Sequence, residues 1–190
     1  MFDDYSKGTV FLESGAVYPD LLLKYYGVND ELVYFNKINN SAISIDREIL
    51  DKFIILHPET GEEMLFKKVP GYSGIFTDPS PLFAQVLHEG QLKLYVFRMN
   101  RVDGVKSEKR GNNTYYQDFY ALKSRYVLIK PGFRPVYFTK INHKQLLRLF
   151  PEKAGEIKQL QKQDKLKRRI RSVQELIRLM ELMEDTGGGE

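Results

Sequence analysis

Over roughly the first 140 positions, apolar and polar residues alternate with a period of two, and after that the period lengthens. Glu31-Leu-Val-Tyr-Phe-Asn36 sets Leu32 and Tyr34 on one face of an extended segment and Val33 and Phe35 on the other. Residues 91–99 do the same, with Leu92, Leu94 and Val96 opposed to Lys93, Tyr95 and Phe97. The unbroken apolar run Phe53-Ile-Ile-Leu56 suits a strand covered on both faces. Turn clusters punctuate these runs at Ser14-Gly15, Gly27–Asp30, Asn39-Asn40 and His57–Gly61. The pattern predicts strands at 8–13, 17–26, 31–36, 42–45, 49–56 and 63–69, the last two pairing as a hairpin. Residues 70–81 read as a loop, and 82–87 fit either a strand or a helical turn. The polar, glycine-containing stretch 102–113 reads as a mobile loop. Separate strands are predicted at 115–122, 124–130 and 135–139.

Beyond residue 140 the spacing becomes helical. Asn142 with Gln145, and Ser172 with Glu175, have the form of capping boxes, in which a short polar side chain closes the first turn of a helix. Pro151 suits the first position of another helix. Val173, Leu176, Ile177, Met180 and Met183 form one apolar stripe, expected to pack on the protein's own sheet rather than on a membrane or a partner helix. Many strands followed by two or three short helices predict an α+β fold, mostly antiparallel β. A meander, a sandwich and a partly open barrel all remain compatible. The expected organisation is an antiparallel β domain at 1–140, a helical tail packed on it at 141–185, and a flexible end at 186–190.

The chain has 190 residues, 42% of them hydrophobic and 28% charged, which suits one globular domain with or without an appendage. Twelve Tyr and twelve Phe favour pleated, half-buried surfaces. The lack of cysteine excludes disulfides, thiolate metal sites and thiol nucleophiles. No stretch approaches the about 18 consecutive apolar residues of a spanning helix. The net charge of +4 permits an anionic partner without requiring one. Its excess sits late in the chain, where residues 141–190 hold 11 Lys/Arg against 8 Asp/Glu.

Candidate chemistry is sparse. His57, His88 and His143 lie far apart, each at a turn or helix start, so capping or surface roles explain them better than metal ligation. Ser73 lacks the spacing of a nucleophile elbow. The pairs Asp46/Glu48 and Glu62/Glu63 read as solvated turn charges rather than a glycosidase pair. No phosphate-cradling glycine loop is present. No catalytic, cofactor-binding or metal-binding residue is therefore assigned, and no cofactor is expected. A hydrolase whose active-site residues meet only in the fold is neither supported nor forbidden.

The densest feature is the basic run Lys162–Arg171. Lys162, Lys165, Lys167, Arg168, Arg169 and Arg171 against the single Asp164 make a candidate anion-binding patch. A solvated helix face, neutralised by the acidic residues that follow, explains it more simply. Tyr115, Tyr116, Phe119, Tyr120 and Tyr126, with Lys123 and Arg125, raise the alternative of a nucleic-acid-binding module that stacks bases on a sheet. Alternating aromatics more often build a core, and nucleic acid is the disfavoured partner.

Several stretches carry a resemblance. Residues 7–15 (KGTVFLESG), 23–26 (LKYY), 87–96 (LHEGQLKLYV) and 144–153 (KQLLRLFPEK) resemble an uncharacterised family of small exported proteins from Bacteroidetes bacteria. The likeness covers most of the chain, but its motifs are turns, core positions and caps. It implies a periplasmic or secreted protein. The partner is left open, a protein or the cell envelope being compatible with export. Met1-Phe2-Asp3-Asp4 has no leader pattern, so on this reading a signal peptide has been removed ahead of it. The expectation is a non-enzymatic exported protein that acts by binding or as a structural component.

Overall fold

The structure, a computed structural model, describes residues 5–27, 29–69, 81–111, 113–142, 144–163, 170 and 172–187, with backbone alone at 99–104, 110, 117–123, 152 and 186–187. Among the described residues ten strands precede three helices: β1 (Ser6–Leu12), β2 (Val17–Tyr26), β3 (Glu31–Asn36), β4 (Ser41–Ile45), β5 (Leu50–Leu56), β6 (Glu63–Val69), β7 (Leu82–Glu89), β8 (Lys93–Arg110), β9 (Asn113–Ile129), β10 (Val136–Phe138), α1 (Lys144–Leu149), α2 (Ala154–Gln163) and α3 (Val173–Gly187). The strands hydrogen-bond in the order β10-β9-β8-β7-β6-β5-β1-β2-β3-β4, an open sheet whose neighbours are sequential except at β5–β1. The fold is α+β and mostly antiparallel, as the change of period predicts.

The chain divides into two compact units. Unit 1 comprises Met1–Gln85 and Phe97–Ser124, and unit 2 comprises Val86–Val96 and Arg125–Glu190.

In unit 1, β1 to β4 follow one another antiparallel, and β5 pairs with β1 on its other side. The predicted hairpin forms, with Phe53 opposite Phe66 and Leu56 opposite Glu63. The two rings stack with centroids 4.7 Å apart, and both side chains are fully buried. Val10, Leu23, Leu32, Ile55 and Phe83 complete one core drawn from six strands. Gly8 is required here by close approach, since a Cβ would strike the Ile54 carbonyl and the Leu23 side chain.

Residues 82–87, which fit either a strand or a helical turn, belong to strand β7. One expectation needs correcting. The predicted loop at 102–113 is largely extended backbone, because β8 runs on to Arg110 and β9 starts at Asn113, with Gly111 between them at φ 64°. The predicted strands at 115–122 and 124–130 are correspondingly one strand. Residues 105–109 and 113–116 are exposed. A ribbon held by its backbone ladder with little burial has no apolar face to impose alternation, so its sequence reads as loop. The loop expected at 70–81 lies outside the described residues except Pro81.

In unit 2 the helices share a core with strand residues. Leu94 of β8, Leu128 of β9 and Phe138 of β10 pack with Leu146, Ile157, Leu176, Leu179 and Met180. The α3 stripe thus buries against the protein's own strands and helices, as its spacing predicts. Leu176, Met180 and Met183 are buried, while Val173 and Ile177 are half-buried beside them. Ser172 caps α3, its Oγ accepting from the Glu175 amide at 3.2 Å. Asn142 caps α1 as predicted, its side chain accepting at 2.9 Å from the Lys144 amide, one residue before the Gln145 amide that the box implies. Pro151 opens a single 3-10 turn, Pro151–Lys153, that leads into α2. Among the described residues no helix is long and apolar enough to cross a membrane.

Candidate functional site

The end of β9 sets one wall of a cleft in unit 2. Ile129 is its last residue, and Lys130-Pro-Gly-Phe133 then turns the chain, the Phe133 amide donating to the Lys130 carbonyl at 3.1 Å. Gly132 sits at φ 78°, a backbone conformation that only glycine adopts freely. The turn carries the Lys130 ammonium over two aromatic faces, 4.0 Å from the Phe133 centroid and 3.9 Å from that of Phe150. Phe150 lies just past α1, its amide bonded to the Leu146 carbonyl at 2.8 Å. Pro151 then starts the 3-10 turn that brings Lys153 to the same cleft.

The cleft has a volume of about 400 Å³ and is lined by Gln91, Leu92, Lys130, Pro131, Phe150, Lys153, Met183 and Glu184. That size falls within the range of small-molecule sites. Its polar groups differ in how far they are committed. The Glu184 carboxylate accepts from the Leu92 amide at 2.6 Å and meets His88 Nε2 at 3.2 Å, both side chains being largely shielded from solvent. Gly90 leaves room for it, since a Cβ there would land on that carboxylate. Lys153 pairs with Glu156 at 3.6 Å across one turn, a half-exposed contact of small energetic weight. Lys130 has two rings beneath its charge and, among the described residues, no carboxylate within ion-pair distance.

A second buried polar cluster lies in unit 1. Asp30 sits in the β2–β3 turn at φ 53° and is only 8% exposed. Its Oδ1 accepts from the Phe83 amide at 3.0 Å and from the Tyr25 hydroxyl, which also lies 3.2 Å from the Phe83 carbonyl. Arg47 approaches Oδ2 at 3.5 Å and donates to the Pro81 carbonyl. Burial raises the Asp30 carboxyl above its ordinary range, against the opposing pull of Tyr25, the Phe83 amide and Arg47. Burial and then the neighbouring Asp30 push the Tyr25 phenol well up. In the sheet order β7 is four strands from β2, so these bonds require the sheet of unit 1 to curl around its core. Oδ1 is consumed by the protein's own donors, while the buried Oδ2 has the Arg47 contact and no hydrogen bond, so the cluster is a clasp between the β2–β3 turn and β7.

The residues singled out in the sequence fare as follows. Lys162 is exposed at the end of α2, whereas Lys165, Lys167, Arg168, Arg169 and Arg171 lie outside the described residues, as do Ser73 and His143. His57 caps its own turn, its Nδ1 accepting from the Glu59 and Thr60 amides. His88 is the Glu184 partner. Asp46 accepts from the Glu48 amide, and Glu62 from the Thr60 hydroxyl, both as turn contacts. Tyr115 and Tyr116 are exposed, and Tyr126 is half-buried and stacked on Phe138 at 5.3 Å. The side chains of Phe119, Tyr120 and Lys123 lie outside the described set. Among the described residues no three His, Asp or Glu side chains gather to hold a metal ion.

Sequence reading missed both Lys130 and Asp30. In the sequence Lys130 ends a predicted strand, and its aromatic partner Phe150 arrives from another element. Asp30 looked like turn punctuation because Phe83 is 53 residues away. Comparison with protein-family models, curated proteins and solved structures finds no match to this chain.

Proposed function

We propose that the protein works by binding, with the cleft of unit 2 as its ligand site, and that it does so as an exported, non-enzymatic component of the cell envelope or its surroundings. The observation that carries the binding reading is the cleft itself, a concavity with an apolar floor and a few convergent polar groups. Two lysines, one glutamine and an already committed glutamate suit holding a ligand. They do not pair a nucleophile with a base, the arrangement that acyl or glycosyl transfer needs. Export is supported by the resemblance of residues 7–15, 87–96 and 144–153.

The binding reading is tested by NMR of methyl-labelled protein against a set of small molecules. Shift changes concentrated at Leu92 and Met183, with the Met183 change lost on filling the cleft with Leu92→Trp, are the expected result. Perturbation confined to surfaces away from the cleft rejects it. Export is tested by fractionating cells that express the natural gene, and recovery of the protein only from the cytosol rejects that part.

A further inference from the structure

We infer that the ligand of this cleft is an organic monocarboxylate with an apolar body, an inference that rests on the cleft being the binding site. Lys130 sets the charge. Its ammonium lies 4.0 and 3.9 Å from two ring centroids, and those rings displace water from the sides they cover. A cation stripped of part of its hydration, with no carboxylate partner among the described residues, gains more from an incoming anion than a fully solvated lysine does.

Glu184 lines the same cleft but does not neutralise Lys130, because its oxygens are held by the Leu92 amide and His88. Of the titratable lining, Lys153 is offset by Glu156 and Glu184 is committed to the Leu92 amide and His88, so Lys130 is the cation left for a ligand, and a monoanion balances it. The cation-bearing side chains are lysines, which act as point charges, and among the described residues no arginine fork of the kind suited to bidentate phosphate recognition lines the cleft. The remaining wall of Leu92, Pro131, Phe150 and Met183 is apolar and gives no reward to a small, fully hydrated ion. A carboxylate against Lys130 and Lys153, with a ring or short alkyl chain against Phe150 and Leu92, satisfies both halves of the site.

The test uses the full chain and three probes: 3-phenylpropionate, its neutral amide 3-phenylpropanamide, and inorganic phosphate. Affinities come from calorimetry, and the site from the Leu92 and Met183 methyl signals. The expected order is phenylpropionate tighter than the amide by about tenfold or more, the scale of a charge-assisted hydrogen bond, with phosphate weaker still. Lys130→Met keeps the aliphatic stem and should erase the acid-over-amide preference, while Lys130→Arg should retain it. Circular dichroism confirms that each variant is folded. An amide that binds as tightly as the acid, at the same methyls, overturns the monocarboxylate class while leaving the cleft as a binding site. Phosphate binding as tight as the organic acid also overturns the class. Failure of every compound to perturb Leu92 or Met183 overturns the site, and the inference falls with it.

Discussion

Replacing Asp30 separates its two roles, hydrogen-bond acceptor and buried charge. In Asp30→Asn the amide oxygen can still accept from the Phe83 amide, 3.0 Å away, and from the Tyr25 hydroxyl. Asparagine is also at ease at the left-handed φ of 53° found here. What is lost is the approach of Arg47 at 3.5 Å, and Arg47 is 35% exposed, so the ion pair is partly screened. The same change removes the cost of burying a carboxylate. The net effect at neutral pH should be about 1 kcal/mol or less in either direction. Asp30→Ala differs, because it strips the Phe83 amide of its carboxylate acceptor, costing about 1–3 kcal/mol. It also removes the short polar side chain that lets aspartate settle in the left-handed region, for about 1 kcal/mol more. A loss of about 3 kcal/mol is expected.

The pH dependence supplies the sharper test. Because the folded-state carboxyl titrates above its unfolded value, the native chain holds more protons between the two. The contribution of Asp30 to stability is therefore greatest below the ordinary carboxylate range and is lost as pH rises through the raised folded value. Asp30→Asn should lack that decline. Urea unfolding followed by far-UV circular dichroism is the suitable assay, since the chain has no Trp. An Asn variant as damaged as the Ala variant, or wild-type and Asn stability curves that run parallel across the acidic to neutral range, would refute the reasoning.

Two further outcomes follow from unit 2. Ser172→Ala removes the oxygen that caps α3 at the Glu175 amide and should cost about 1 kcal/mol, measured by urea unfolding, with Ser172→Asp restoring most of it. Gly90→Ala puts a methyl group where the Glu184 carboxylate lies, which forces that carboxylate away from the Leu92 amide. A loss of about 1–3 kcal/mol is expected, together with faster hydrogen exchange at Leu92, and unchanged exchange there would count against the contact.

Local regularity made much of the fold readable. A period of two with turn residues between runs marked β1 to β6, and their bounds follow from contacts a few residues apart. The β5–β6 hairpin was legible because its two strands are joined by a short turn. Ser172, Pro151 and the stripe through Leu176, Met180 and Met183 announced the helices, since caps and helical spacing are properties of one segment. The β8–β9 ribbon escaped this logic. Residues 105–109 and 113–116 are exposed, so no buried face sorts their apolar from their polar positions. The sites escaped it for a different reason. Asp30 becomes a clasp only when the curl of the sheet delivers Phe83 to it, and Lys130 becomes a naked cation only when Phe150 arrives from the far end of α1. Propensity and period act within a segment, so the chain alone determined its elements outside that ribbon. The charge and burial of a side chain are set by whatever the fold carries next to it, so the chemistry was decided by tertiary structure.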